Sequence, residues 1–457
     1  MDSPLPALVR AAATVIAVSV AASALAAEPA NRVPEATVAA QSPNADIETA
    51  LARVTAARSG AEGVSLEAAL TALGDAHANA GQYEAAAPAY NEALQLAERH
   101  GFEDVRVLTP LTGLGIAFSR SGHHDEAVPR LQRALTIQRA KYGLFDVRQQ
   151  ETLKVLAASL TALDRKQEAQ DFLVYRGRVA EKAYGAGDVK VVEAMCDLGN
   201  WFAETGKTEE ARMSFKVALD NASWKLSPNH PAVVEPLRGI ARAQMLRQSY
   251  PEEWLRPRSP KGCKTIALEC SPPFRMDSRG HRIILPRKLD PEGEDALKRA
   301  LWVLEADPRA SSEVRVETLI QMGDWQQIKK APVDALSYYQ QAWQLSRAAS
   351  NASSPAAAAF DSPVRVFYPT PMIVAHIPGL PPEETRTQHV QIEFTVKADG
   401  SVADARIVEH DTREQYARDI LDAVRVSRFR PKLVDGKPVD VPGIVFRETL
   451  WRPEARK

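Results

Sequence analysis

Between residues 65 and 349, apolar residues recur at i, i+3, i+4 and i+7, which is the pattern of one buried face of an α-helix. Small residues return inside this pattern at a nearly fixed step. They are Gly74, Gly115, Ala157, Gly199 and Ala241, of which the last four are 42 residues apart (157−115, 199−157, 241−199). A step of this size predicts stacked helical hairpins, and such arrays form long concave surfaces that usually bind partners.

The first copy of the pattern has Leu70, Leu73-Gly74 and His77 on one predicted helix, followed by Gly81, Ala86, Tyr90 and Ala93 on the next. This arrangement resembles a tetratricopeptide repeat, with small residues where the two helices of a hairpin touch. The family repeat is about 34 residues, so the longer step implies longer helices, as in the kinesin light chain type. The resemblance implies a mostly α solenoid over residues 65–349.

The fifth repeat is interrupted. Residues 233–246 predict its first helix, with Pro236 in the first turn, and residues 294–307 predict its second. The insert between them, 248–290, is longer than an ordinary loop. It contains Cys263 and Cys270, which could form a disulfide in an exported chain, and a second apolar run at 281–285. A small stapled hairpin and a reduced, partly disordered insert both fit these residues.

The helical spacing of apolar residues ends at a linker of small residues, 350–362, and a different spacing follows it. Residues 390–396 alternate between apolar and polar, as a half-buried strand does, and Asp399-Gly400 predicts a hairpin turn. Strand, strand, helix, strand, strand is the predicted order, over residues 390–396, 403–409, 416–424, 429–434 and 443–451. This order is typical of a small α+β domain.

Four short motifs stand in this segment: Tyr368-Pro369, Asp399-Gly400-Ser401-Val402, Phe429-Arg430-Pro431 and Asp435-Gly436-Lys437-Pro438-Val439. Their order and spacing resemble the C-terminal domain of TonB-type energy transducers, over residues 363–452. The resemblance implies a domain that captures an extended outer-membrane receptor peptide by adding a strand to its sheet edge. It also makes Tyr368 and Pro369 candidate partner-binding residues. TonB has a proline-rich spacer where this chain has a repeat array.

Residues 1–26 predict a signal peptide, because an apolar stretch at 11–22 precedes the cleavage pattern Ala24-Leu25-Ala26. Residues 27–64 then form an N-terminal linker. The alternative is an uncleaved anchor, although the stretch is short for a span of about 20 residues. Cleavage predicts an exported bacterial protein in the periplasm, and retention predicts an inner-membrane protein facing the periplasm.

Composition excludes some functions. The 57 basic and 58 acidic residues give a net charge of −1, and no arginine-rich patch with aromatics predicts nucleic-acid binding. The common hydrolase, zinc-protease and nucleotide-binding motifs are absent. His123-His124 lacks nearby ligand partners, and Cys196 lacks an adjacent histidine. We therefore expect no catalytic residue, cofactor or metal.

Partner contacts are expected along the first helix of each repeat, on the concave side. The candidates are Asn79, Arg120, Asn200, Arg238 and Arg242, within a wider set that adds Asp75, Thr112, Lys154 and Glu204. Their mixed charges argue against a clamp for acidic tails alone. Proteins or extended peptides, including outer-membrane receptor segments, are the expected partners.

Three functions follow from these patterns. The first is a non-enzymatic periplasmic adaptor that binds through the array and the sheet edge, with a link to TonB-dependent transport. The second is an anchored TonB-type energy transducer, which N-terminal sequencing of the mature protein would separate from the first. The third is an enzyme with its site in the insert, where no nucleophile–base pair is visible. The adaptor is the preferred hypothesis.

Overall fold

The computed structural model describes residues 43–60, 63, 65–249, 274–276, 282–284, 289–348, 358–369 and 385–453. The expected signal peptide, Cys263, Cys270 and residues 350–357 of the expected linker lie outside these ranges. In the part that is described, no helix has the length and apolar character needed to cross a membrane. Two compact units are formed. One contains the described residues up to Phe202 and Met213–Pro236, and the other contains Ala203–Arg212 and the described residues from Leu237 onwards.

Helices build the repeat segment, so the predicted tetratricopeptide-like solenoid is confirmed. They are α1 (Pro43–Arg58), α2 (Leu66–Asn79), α3 (Tyr83–Glu98), α4 (Leu108–Arg120), α5 (His124–Tyr142), α6 (Gln149–Ala162), α7 (Lys166–Tyr184), α8 (Val189–Glu204), α9 (Thr208–Lys225), α10 (Val234–Ser249), α11 (Pro291–Ala306), α12 (Ser312–Ile328) and α13 (Pro332–Ala348). Helices α10 and α11 flank the insert.

The periodic glycines are the points where two helices of a hairpin meet. A methyl group added to Gly74 would lie 2.6 Å from the ring of Tyr90, and one added to Gly199 would lie 2.8 Å from Phe215. The same holds in the last hairpin, where the distance from Gly323 to Tyr339 would be 2.3 Å. These contacts are shorter than any real Cβ makes, so each hairpin needs glycine opposite its large buried side chain.

Helix α1 corrects one expectation, since it lies in the segment 27–64 that was expected to be a linker. Its residues Ile47, Ala50 and Val54 are buried and pack in one cluster with Leu70 and Leu73 of α2. Their spacing of three and four is helical, but alanines surround them and weaken the contrast between the two faces. Burial of this stripe fixes α1 on the first repeat.

The loops between repeats carry a second 42-residue period. Asp104, Asp146, Asp188 and His230 are each 42 apart (146−104, 188−146, 230−188). Each side chain accepts a hydrogen bond from the backbone N–H two residues later, at 2.8–3.1 Å. These bonds satisfy one free donor at the start of the next helical segment.

The C-terminal module contains β3 (Val364–Phe367), β4 (Thr385–Val396), β5 (Val402–His410), α14 (Glu414–Val426), β6 (Arg428–Arg430), β7 (Lys432–Val434), β8 (Lys437–Val439) and β9 (Val441–Pro453). Its main sheet has the strand order β5-β4-β9, while β3 pairs with β6 and β7 pairs with β8. All the pairs are antiparallel.

The predicted α+β class is confirmed, with two changes in detail. The strand expected at 429–434 is two strands, because Pro431 has no N–H with which to continue the ladder. A further strand, β8, follows the turn at Asp435-Gly436, where both residues have positive φ. The alternating residues Val390, Ile392, Phe394 and Val396 are buried as their pattern predicts, and α14 packs on them.

The insert contains two short strands, β1 (Phe274–Met276) and β2 (Arg282–Ile284), which pair with each other. The second coincides with the apolar run expected at 281–285. The first lies after Cys270 in the chain. Only residues 277–281 separate the strands, so the hairpin closes locally.

Candidate partner-binding surfaces

The residues that were expected to contact a partner differ in their exposure and in the bonds that they form within the protein. Asn79 and Arg120 are exposed at the C-terminal ends of α2 and α4. Asn200 and Arg242 are half-buried on α8 and α10. Arg238 binds Glu317 at 2.7 Å, and its carbonyl accepts a bond from Gln321. It therefore joins α10 to α12, and its guanidinium is mostly buried.

A carboxylate on α8 explains the position of Lys154. Asp197 on α8 accepts a bond from Arg176 at 2.7 Å and pairs with Lys154 at 3.1 Å. Arg176 is buried, so its charge requires this partner. Lys154 is thus paired with Asp197 within the array, and its side chain remains 44% exposed.

Polar bonds hold successive first helices together. Ser119 on α4 and Ser159 on α6 share a buried hydrogen bond of 2.8 Å. The indole N–H of Trp201 on α8 donates to Thr161 on α6 at 2.7 Å. Polar groups that are satisfied in this way favour one arrangement of the helices. These bonds therefore hold α4, α6 and α8 in fixed positions relative to one another.

The first repeat presents an exposed acidic group on α2. Asp75 is exposed, and one of its oxygens accepts a bond of 2.6 Å from the hydroxyl of Tyr90. Burial of Tyr90, together with this bond to Asp75, raises the pKa of the phenol well above its ordinary value. The hydroxyl therefore stays protonated and keeps donating to the carboxylate.

The two edges of the main sheet are unlike each other. The β5 edge is irregular, with two register shifts against β4 and with Asp404 at a φ of 54°. Such bulges, with charged residues such as Arg406 and Glu409, discourage another strand from pairing. In contrast, β9 pairs with β4 without a shift from Thr385–Pro453 to Phe394–Ile444. Among the described residues, no strand lies on its other side.

Side chains on both faces of β9 are arranged around this edge. Val445 is 57% exposed on the outer face. On the inner face, Phe446 packs against Tyr368 with the ring centroids 5.3 Å apart, and Arg365 lies 4.9 Å from both rings. Burial raises the pKa of Glu448, and the Tyr368 hydroxyl and Arg365 oppose that rise.

The resemblance made Tyr368 and Pro369 candidate partner-binding residues of the module, and the structure shows where they lie. Tyr368 and Pro369 are both buried, and Tyr368 belongs to the module's core cluster. The Tyr368 side chain therefore shapes the inner face behind β9. Val445 and Arg447 are exposed on the outer face of this strand.

A buried ion pair joins the module to the last helical hairpin. Arg430 of β6 donates to both oxygens of Asp324 on α12, at 3.0 and 2.7 Å. Tyr339 of α13 donates to the same carboxylate at 2.8 Å. The side chains of Arg430 and Asp324 are only 11% and 14% exposed. Burial and the Asp324 charge raise the pKa of Tyr339, so the phenol remains a donor.

Backbone and apolar contacts extend this junction. Gln327 donates to the carbonyl of Asp399 at 3.0 Å, and Gln340 donates to that of Gly436 at 3.1 Å. Phe360 is fully buried against Tyr339, and its carbonyl accepts a bond from Leu433. The module thus covers the apolar end of the last repeat, as the capping element of a solenoid does.

The part of the chain that the structure describes shows no group of three or more His, Cys, Asp or Glu side chains placed to hold a metal ion. His123 and His124 lie at the start of α5. Cys196 is buried on α8.

Comparison with known families identifies both parts of the chain. Residues 65–140 match the tetratricopeptide repeat family, and residues 383–447 match the family "Gram-negative bacterial TonB protein C-terminal". The protein therefore contains tetratricopeptide repeats and a TonB-type C-terminal domain. Both are non-catalytic folds of the kind used for interactions between proteins. The second belongs to proteins of the Gram-negative envelope.

Solved structures similar to the chain are repeat proteins. BtubC (BKLC) from P. vanneervenii shares 15% identity and covers 59% of this chain and 96% of its own, with a TM-score of 0.41. A putative kinesin light chain from Podosopora anserina shares 18% identity, over 40% and 87% of the two chains, with a TM-score of 0.36. A Rap protein complexed with competence and sporulation factor shares 12%, over 67% and 71%, with a TM-score of 0.34. No curated protein sequence matches the chain.

Proposed function

We propose that this protein is a non-enzymatic adaptor in the periplasm of a Gram-negative bacterium, linked to TonB-dependent transport. It binds protein partners through the concave side of its array, and an extended peptide through the β9 edge of its C-terminal module. The proposal includes cleavage of residues 1–26 on export. The observation that supports it most directly is that the β9 edge is regular and has no neighbouring strand among the described residues.

The β9 edge suits strand addition because it is long, regular and unpaired among the described residues. An added strand gains main-chain hydrogen bonds from such an edge, and alternate side chains then give specificity. The outer face would offer Val445, and the inner face would offer Phe446 backed by Tyr368 and Arg365. An extended segment with alternating apolar residues fits both faces.

The junction supports an adaptor over an energy transducer. A transducer needs its peptide-binding domain on a long spacer. Here Phe360, Arg430 and Leu433 bind the module to the last hairpin immediately after the linker. The module is therefore held at a fixed position on the last hairpin, which suits a scaffold.

A photo-crosslinking experiment in cells tests this function. Benzoylphenylalanine would replace Val445 beside the β9 edge or, as the matched control, Val408 on the β5 edge, which is 50% exposed. We expect an adduct from position 445 that maps to one extended segment of an envelope protein, and none from position 408. The proposal fails if position 445 gives no adduct or if both positions give the same adducts.

A further inference from the structure

The first and last repeats share an arrangement that the other repeats lack. Each has a Gly-Asp pair followed by tyrosine fifteen residues after the aspartate, as Gly74-Asp75 with Tyr90 and as Gly323-Asp324 with Tyr339. In both, the ring packs on the glycine and the hydroxyl donates to Oδ1 of the aspartate, at 2.6 and 2.8 Å. The aspartate positions correspond to Ile116, Ala158 and Asn200 in repeats two to four.

In the last repeat this arrangement already binds a ligand, which is the guanidinium of Arg430. The Nε donates to Oδ1 of Asp324 at 3.0 Å and Nη2 donates to Oδ2 at 2.7 Å. The tyrosine holds the carboxylate in one orientation, and the planar fork of arginine matches its two oxygens. A lysine could reach only one oxygen at a time.

The first repeat has the same tyrosine-bound carboxylate, Asp75, but no described group takes the place of Arg430. Asp75 is exposed, and no cation among the described residues pairs with it. Tyr90 is 3% exposed, and Gly113 of α4 lies against its ring without a side chain of its own. The carboxylate is therefore oriented by a buried donor and has its second oxygen directed to solvent or to a partner.

We propose that Asp75 and Tyr90 form a binding site for an arginine side chain of a partner protein, on the model of Asp324, Tyr339 and Arg430 within this chain. The site rests on the proposed function, because it gives the concave side of the array a specific ligand. It predicts that a partner segment bound there carries arginine in an extended stretch, as Phe429-Arg430-Pro431 does in the module.

The test uses the full-length protein and a synthetic peptide. The probe has the sequence of residues 427–433 with a fluorescent label and with benzoylphenylalanine at the position of Phe429. We expect ultraviolet crosslinks on α2 or α4 near Asp75. Asp75→Asn should weaken binding at least about tenfold, and so should citrulline in place of the arginine at position 430. Asp125→Asn, an exposed acidic residue in the first turn of α5, is the matched control and should bind as the wild type does.

A second variant covers the case in which Asp75→Asn disturbs the fold. Tyr90→Phe keeps the charge and removes only the orienting hydroxyl, so it should weaken the peptide by a smaller factor with an unchanged far-ultraviolet spectrum. Equal binding by wild type and Asp75→Asn, or crosslinks only outside the first repeat, would overturn the inference. The Val445 adduct does not involve Asp75. If that adduct forms while the peptide result is negative, this site fails and the proposed function stands. If the peptide binds at Asp75 but position 445 gives no adduct, the arginine site stands and the proposed function of the β9 edge fails.

Discussion

At the residue scale, the most consequential contact is the ion pair between Arg430 and Asp324. Removing both charges from water costs free energy, and the pair offsets this only because the carboxylate also accepts a bond from Tyr339. Taking away one partner leaves the other charge buried and unpaired. The pair therefore makes the junction between module and hairpin specific.

Arg430→Met should lower the free energy of unfolding of the unit that contains the module by about 3 kcal/mol, because Asp324 then lacks its cation. Denaturant unfolding followed by tryptophan fluorescence would measure it. The control is Arg406→Met, which breaks an exposed pair with Glu393 and should cost less than about 1 kcal/mol. Similar losses in the two variants would contradict the role of the buried pair.

Glu294 on α11 gives a prediction about pH. Burial alone would raise the pKa of this carboxyl, but hydrogen bonds from Lys329 at 2.6 Å and from Lys298 outweigh burial and lower the pKa to about 2. A carboxyl with a lowered pKa stabilises the fold fully above its unfolded value of 4.5, and the stabilisation is lost as pH falls from there towards 2.

Glu294→Gln should thus lower the free energy of unfolding by about 1 kcal/mol at pH 7, a value reduced for solvent screening of the partly exposed lysines. The difference from wild type should shrink below pH 4.5. Glu305→Gln, at an exposed site on the same helix, is the control and should leave the pH profile unchanged. A difference that stayed constant down to pH 2 would exclude the proposed cause.

At the scale of elements, the sequence predicted the helical hairpins because a single physical constraint repeats along them. Each glycine of this series faces a large buried side chain, as Gly74 faces Tyr90. The same step governs Asp104 and its equivalents in the loops. The period is less visible there because His230 replaces aspartate in one copy. Alanines blur the apolar stripe of α1, so its sequence does not predict a helix.

Gly74→Ala tests this constraint directly. The new methyl group would lie 2.6 Å from the ring of buried Tyr90, which has no room to move, so the first unit should lose about 1–3 kcal/mol in thermal unfolding. Gly177→Ala is the matched control. Its methyl group would meet only the flexible end of Met195, which can shift, so the loss should be smaller. Equal losses in the two variants would contradict a decisive role for the Tyr90 contact, because helix propensity alone favours alanine over glycine and would stabilise both.

At the scale of the whole molecule, the sequence predicted the two kinds of domain but not the contacts that fix the module on the last hairpin. Asp324 and Arg430 lie 106 residues apart, and each belongs to a local motif that explains it without the other. Phe360 stands among small residues that predict a linker, yet it is buried against Tyr339. Such pairings arise from tertiary packing and leave no period in the sequence.

The same holds for the candidate surfaces. Alternation located the strands of the module, but only the pairing register distinguishes the regular β9 edge from the bulged β5 edge. Arg238 and Lys154 remain candidates for partner binding, and the structure adds that Glu317 and Asp197 pair with them within the protein. The sequence identifies a charged side chain on a helix, but it does not show whether that side chain pairs within the protein or with a partner protein.

Strand addition at β9 is the central claim, and amide hydrogen exchange tests it most directly. The full-length protein would be measured alone and with a synthetic peptide of the segment crosslinked from position 445. We predict slower exchange of backbone amides within Val441–Pro453, with no change in β5 (Val402–His410). Protection confined to β5, or no protection of β9 at saturating peptide, would contradict the account.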